Sequence, residues 1–137
     1  MTHHADFAGE LGPILAGTSA GGSQPFGHRA HVELAFVAAR RHGEEDGAAA
    51  MCGWIQQIAA AHGRADRYHE TMTVAWARVV AHHVAADPEI RDFGAFAARY
   101  PALLDKNLLS AHYSTAALGS AEARAGWVPP DVLPFPW

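Results

Sequence analysis

Four side chains in two short runs hold most of the chemistry this sequence offers. His28 and His31 stand three residues apart in Phe26-Gly27-His28-Arg29-Ala30-His31, and His69 and Glu70 are adjacent in Tyr68-His69-Glu70-Thr71-Met72-Thr73. Residues three apart share a helix face, so one helix can present both imidazoles of the first run to a single ion, as Glu-x-x-His pairs do in metal-binding bundles. A mixed imidazole and carboxylate set suits Zn, Fe, Cu, Ni or Mn. The expected site is a divalent transition metal held by His28, His31 and His69, with Glu70 as fourth ligand or as acid/base. Glu70 and Tyr113 are the candidate catalytic groups, and Thr73, Trp76 and His112 the candidate substrate contacts. An ion with an open position polarises a carbonyl, activates water or, if redox-active, binds oxygen.

The same residues have a plainer reading. An imidazole on an apolar helix face needs a partner, because burying an unpaired polar group costs roughly 1–3 kcal/mol. A hydrogen-bonded cluster that fixes the register of two helices meets that need without a metal. Glu70, in the first turn of its helix, is also favoured there by the helix dipole.

The remaining histidines, of ten in all, fit structural roles more simply. His42 and His62 each precede a glycine that ends a helix, and His82 and His83 lie in a last turn, where an imidazolium complements the negative dipole end. His82 projects with Arg78 toward solvent and His83 projects inward. His3 and His4 fall in a Gly/Ser-rich start and are incidental.

Several other chemistries find no footing. The one cysteine, Cys52, sits inside a helical pattern and reads as a small core residue; no internal disulfide and no cysteine-based zinc site is available. There is no Gly-x-Ser-x-Gly elbow, no Lys-Ser/Thr after the glycines of 17–23, no repeated Glu-x-x-His for a di-iron centre, and no Cys-x-x-Cys-His for attached haem. The net charge is −4 with no basic block, so neither nucleic acid nor an anionic membrane is an expected partner. No apolar run of about 18 residues and no leader pattern occurs, and the expected location is cytoplasmic.

These side chains must be positioned by helices. The 137 residues include 30 alanines, the strongest helix former, and no alternating strand pattern is present. Over 27–42, Val32, Ala35, Phe36, Ala38 and Ala39 group on one side of a helix that Gly43 stops. A second helix from near Asp46 carries Met51, Ile55, Ile58 and Ala59 on one face and stops at Gly63. Asp66 is the expected N-cap of a third, which ends at Asp87-Pro88. On it His69 falls at the centre of the apolar face with Trp76 and Val80, Glu70 at its rim, and Thr71 outward. A fourth helix covers 89–99, a leucine-rich segment follows Pro101, and Ser120 caps a short helix over 121–125.

The expected architecture is an all-α bundle of four to six helices. Residues 1–25 form an arm that is flexible unless docked, and residues 26–137 form one domain. The end, from Trp127 to Trp137, holds four prolines and is too apolar to stay in water, so it should lie over the bundle as an extended strap.

The chain resembles a family of short bacterial helical proteins, largely uncharacterised. The resemblance rests on Phe26-x-His28-x-x-His31, on Tyr68-His69-Glu70-Thr71-Met72-Thr73, and on Leu103-Leu104-Asp105-Lys106-x-Leu108-Leu109-x-x-His112-Tyr113-Ser114. It continues through Ser120-x-x-Ala123-Arg124 and Pro130-Asp131-Val132-Leu133-Pro134. It implies one shared module and no particular activity. Met72 stands where isoleucine or leucine is expected, a swap of similar volume.

The functional expectation is a small metal-dependent enzyme, a lyase, isomerase, cyclase or oxygenase, acting on a small amino-acid-derived or natural-product intermediate. The alternative is a non-catalytic helper or interaction protein whose His/Glu cluster is structural, and a homodimer is compatible with either.

Overall fold

A computed structural model describes residues 9–17 and 27–137, so His3, His4 and most of the arm expected over 1–25 lie outside the described residues. Among those described, the chain is all-α and no strand is present. Six α-helices follow in order: α1 (Leu11–Ala16), α2 (His28–Ala61), α3 (Glu70–Ala86), α4 (Phe93–Arg99), α5 (Thr115–Leu118) and α6 (Ala121–Ala125). Short 3-10 turns at Ala65–Arg67, Pro101–Leu104 and Leu108–Ala111 connect them.

Helix α2 consists of two halves joined at Gly43, whose φ of 83° and ψ of −168° are non-helical. Only glycine takes that backbone conformation at little cost, so the expected stop at Gly43 is a sharp corner. Beyond it, Gly47 lies against the backbone of Ala38 and Ala39; a Cβ there would come 3.0 Å from the Ala38 carbonyl oxygen.

Helix α3 packs chiefly along α2 and secondarily against α6. The seam is rich in alanine, and Ala35, Ala38, Ala50 and Ala75 are each at most 1 % exposed, which lets two backbones approach closely. Trp54 and Trp76 fill the space beside it and are almost wholly enclosed. Each indole removes about 150–250 Å² from water, on the order of 4–6 kcal/mol at about 25 cal/mol per Å². From the arm, Leu11 and Ile14 of α1 enter the same core.

Helix starts obey cap chemistry more closely than helical periodicity does. Asp66, expected to cap α3, lies in the 3-10 turn, and His69 is the N-cap. The fourth helix begins at Phe93, where Asp92 accepts from the Ala95 N–H at 2.9 Å; residues 89–92 precede it as a turn and an extended stretch. Ser120 caps α6 as expected.

The strap is non-helical and packs on the core through Val128 and Phe135. It bends over 131–133 and leaves Val132 and Leu133 more than half exposed, because its backbone is held there by His112 and not by apolar burial. Its last residue, Trp137, stacks on His82 with centroids 4.3 Å apart, so His82 supports the chain end and is only half-exposed. His42 is also differently engaged than expected: its Nε2 lies 2.8 Å from the Glu10 carboxylate, which also meets Arg41. No helix among the described residues is long and apolar enough to cross a membrane.

Candidate functional site

The run from Tyr68 to Thr73 opens α3, and its polar side chains are all engaged, some within the run and some far along the chain. His69 has an extended backbone and caps the helix: its Nδ1 accepts the Met72 N–H at 3.1 Å. An Nδ1 that accepts is unprotonated, so the proton sits on Nε2, which donates to the Leu118 carbonyl at 2.6 Å. Both ring nitrogens are thereby engaged within the protein, and the residue is buried.

Thr71, expected to face outward, is completely buried. Its hydroxyl donates to the Gly126 carbonyl at 2.7 Å and accepts from the Val128 N–H at 3.1 Å. The physical reason is twofold. The helix begins at Glu70, so a wheel phased on His69 starts from a non-helical residue; and α6 with the strap covers the side that the wheel leaves open. Thr73 turns back onto its own helix and donates to the His69 carbonyl at 2.8 Å.

Glu70 takes a separate direction. It accepts from the Tyr68 hydroxyl at 2.5 Å and from the Cys52 thiol at 3.6 Å. Burial pushes the Cys52 thiol up to about 11, and the neighbouring Glu70 charge adds to the rise. Burial also raises Tyr68, helped by its bonds to Cys52 and Glu70. The result is a carboxylate held by two protonated neighbours.

On α2, His28 donates from Nε2 to the Leu103 carbonyl at 2.9 Å and meets Trp76 edge-on at 4.5 Å. His31 lies one turn on, its ring centroid 6.5 Å from that of His28. Its Nε2 is shut off from solvent. Burial, with His28 adding a smaller push, holds its pKa down at about 4, so it is neutral at pH 7. The structure thus brings His28 and His31 together, while both nitrogens of His69 and the Glu70 carboxylate are engaged by other groups. Among the described residues, no group of three or more His, Cys, Asp or Glu side chains is disposed to hold a metal ion.

The C-terminal candidates, His112 and Tyr113, both bond the strap. Tyr113 is buried and donates to the Val128 carbonyl at 2.8 Å; burial pushes its hydroxyl up to about 12. His112 donates from Nδ1 to the Leu133 carbonyl at 2.8 Å, and its own carbonyl accepts from the Val132 N–H at 2.9 Å. Ser114 binds both carboxylate oxygens of Asp131, by its N–H at 2.8 Å and its hydroxyl at 2.6 Å. Trp76, expected against substrate, is 2 % exposed in the core.

Beside this junction lies a half-open pocket of about 620 Å³, bounded by both halves of α2, the Ala65–Arg67 turn and the start of α3. Ile55, Ile58, Ala59 and Met72 supply apolar wall, and His31, His69 and Thr73 supply polar edges. Arg64, Arg67 and His62 are exposed at its rim. Against protein-family models, curated proteins and solved structures, the chain gives no match. Of the expected site residues, His31, His69 and Thr73 therefore share this pocket, whereas His28, Glu70, Trp76, His112 and Tyr113 are not among its lining. Sequence reasoning passed over Arg64 and Arg67; their spacing of three, directly after a helix-stopping glycine, was the available sign.

Proposed function

We propose that this protein binds a small organic molecule in the pocket between α2 and α3, and that the Tyr68–Thr73 block is the framework that shapes it. The observation that carries this reading is the commitment of His69. Its two nitrogens cap α3 and hold the end of α5, while the residue still forms part of the wall of a cavity large enough for a drug-sized ligand. Its neighbours in the block hold α3 in place: Glu70 accepts from Cys52 of α2, and Thr71 bonds the Gly126 carbonyl and the Val128 N–H.

A second reading keeps a metal-dependent lyase, isomerase, cyclase or oxygenase at this pocket, acting on an amino-acid-derived or natural-product intermediate. The adjacency of His28 and His31, with His31 in the pocket wall, favours it. It requires His69 to give up the Met72 cap, at a cost of about 1 kcal/mol if it ligates through Nδ1. Ligation through Nε2 also bares the buried Leu118 carbonyl, at about 1–3 kcal/mol more.

The neutral dye N-phenyl-1-naphthylamine, titrated into untagged protein alongside elemental analysis, separates the two. Pocket binding predicts one saturable site, its loss in Ile58→Trp with the melting temperature unchanged, and no stoichiometric metal. A dye response identical in Ile58→Trp overturns the pocket reading, and a stoichiometric metal lost in His31→Ala establishes the second.

A further inference from the structure

The pocket is asymmetric in charge, and the asymmetry specifies its ligand. We infer that the pocket takes an organic anion with a compact apolar body, its carboxylate or phosphate held by Arg64 and Arg67 and its body against Ile55, Ile58 and Met72. This inference rests on the pocket reading above and adds the chemical class of the ligand.

No Asp or Glu lines the cavity, although acidic residues outnumber basic ones in the chain, 14 to ten. Two of its nine arginines nevertheless stand at this one mouth, with His62 beside them. Arg64 and Arg67 form no ion pair and no side-chain hydrogen bond with any described residue, unlike Arg40, Arg41 and Arg99. Asp66 lies between them in sequence but is not part of the lining.

Both arginines belong to the turn that follows α2 and both line the pocket. Gly63 adopts a φ of 67°, the left-handed conformation that ends α2. The Arg64 N–H then returns to the Ala59 carbonyl at 2.7 Å, and the Arg67 N–H closes the next turn onto the Arg64 carbonyl at 2.9 Å. Arg64 is the N-cap of the 3-10 turn and Arg67 its last residue, and both line the pocket from the exposed end. A guanidinium fork matches a carboxylate or phosphate in paired hydrogen bonds. The opposite wall has no charge to solvate such a group, so a two-part ligand lies with its head outward and its body inward.

Isothermal titration with octanoate, octyl phosphate and 1-octanol, each at 50 and 300 mM NaCl, tests this on the parent, Arg64→Gln/Arg67→Gln and Ile58→Trp. The expected result is that at least one anion binds tenfold or more tighter than octanol, an advantage that shrinks in high salt and disappears in the double arginine variant. Octanol affinity should be the same in the parent and that variant. Which anion wins distinguishes a carboxylate ligand from a phosphate ester. Octanol binding as tightly as both anions, or an anion preference that survives Arg64→Gln/Arg67→Gln, overturns the inference and leaves the pocket standing. Failure of all three probes to bind, or binding unaffected by Ile58→Trp, brings down the pocket reading as well. A circular-dichroism melt identical to the parent's confirms that the exposed glutamines leave the fold intact.

Discussion

His69 donates its Nε2 proton to the Leu118 carbonyl, 2.6 Å away and 49 residues further along the chain. Its other nitrogen accepts the Met72 N–H, so one neutral imidazole starts α3 and fastens the end of α5 to it. A buried side chain that satisfies two backbone groups at once is a structural joint, and its chemistry is spent on the chain itself.

Removing the joint should be costly. His69→Ala loses a helix cap, about 1 kcal/mol, and bares a buried carbonyl, about 1–3 kcal/mol. Urea denaturation should therefore show a loss of about 2–4 kcal/mol for His69→Ala. His69→Asn, which can cap but cannot reach Leu118, should recover roughly the cap's share. Stability of His69→Ala equal to the parent's would contradict the joint.

Thr71 is the equivalent joint for the strap. Thr71→Val keeps the shape but leaves the Gly126 carbonyl and the Val128 N–H without their partner, a loss of about 1–3 kcal/mol. Hydrogen exchange at the Val128 amide should accelerate at least tenfold in Thr71→Val and stay near the parent rate in Thr71→Ser. Unchanged protection in Thr71→Val would show that the strap is held by other contacts.

The helices themselves were legible because their signals are local. Gly43, Gly63 and Asp87-Pro88 stop them, and Ser120 caps α6 at its expected place. The His/Glu block was legible as an unusual cluster but not as a junction. Its partners are backbone carbonyls of Leu118 and Gly126, and a carbonyl has no residue type to read. Spacing placed His28 and His31 on one face correctly, yet the Leu103 carbonyl that holds His28 comes from 75 residues away. Arg64 and Arg67 gain meaning only once the fold brings them into the same pocket lining as Ile55, Ile58 and Met72.

His31 makes stability depend on pH in a defined direction. Its folded pKa, about 4, lies below the ordinary 6.5, so between these values the unfolded chain takes up a proton that the folded protein refuses. Its contribution is complete above about pH 6.5 and is lost as pH falls toward 4, by up to about 3 kcal/mol. Urea midpoints at pH 7 and pH 4.5 should separate more for the parent than for His31→Gln. An equal separation would place the acid sensitivity elsewhere.

Cys52 should be inert in the folded protein. With its thiol pushed up to about 11 beside the Glu70 carboxylate, little thiolate is available at pH 8. Reaction with a disulfide reagent should be at least about 100-fold slower in native protein than in urea. Glu70→Gln removes the neighbouring charge and should speed the native reaction several-fold; a native rate equal to the unfolded rate would contradict this environment.

The state of the His69 ring itself bears most directly on the account. Long-range ¹H–¹⁵N spectra of uniformly ¹⁵N-labelled protein at pH 7 report which nitrogen carries the proton and whether either binds a metal. The predicted result is a neutral Nε2–H ring whose shifts stay fixed when one equivalent of Zn is added, with the Met72 amide still bonded. A charged or Nδ1–H ring, or a Zn-dependent shift at either nitrogen, would contradict the assignment of His69 to the framework and return it to the metal.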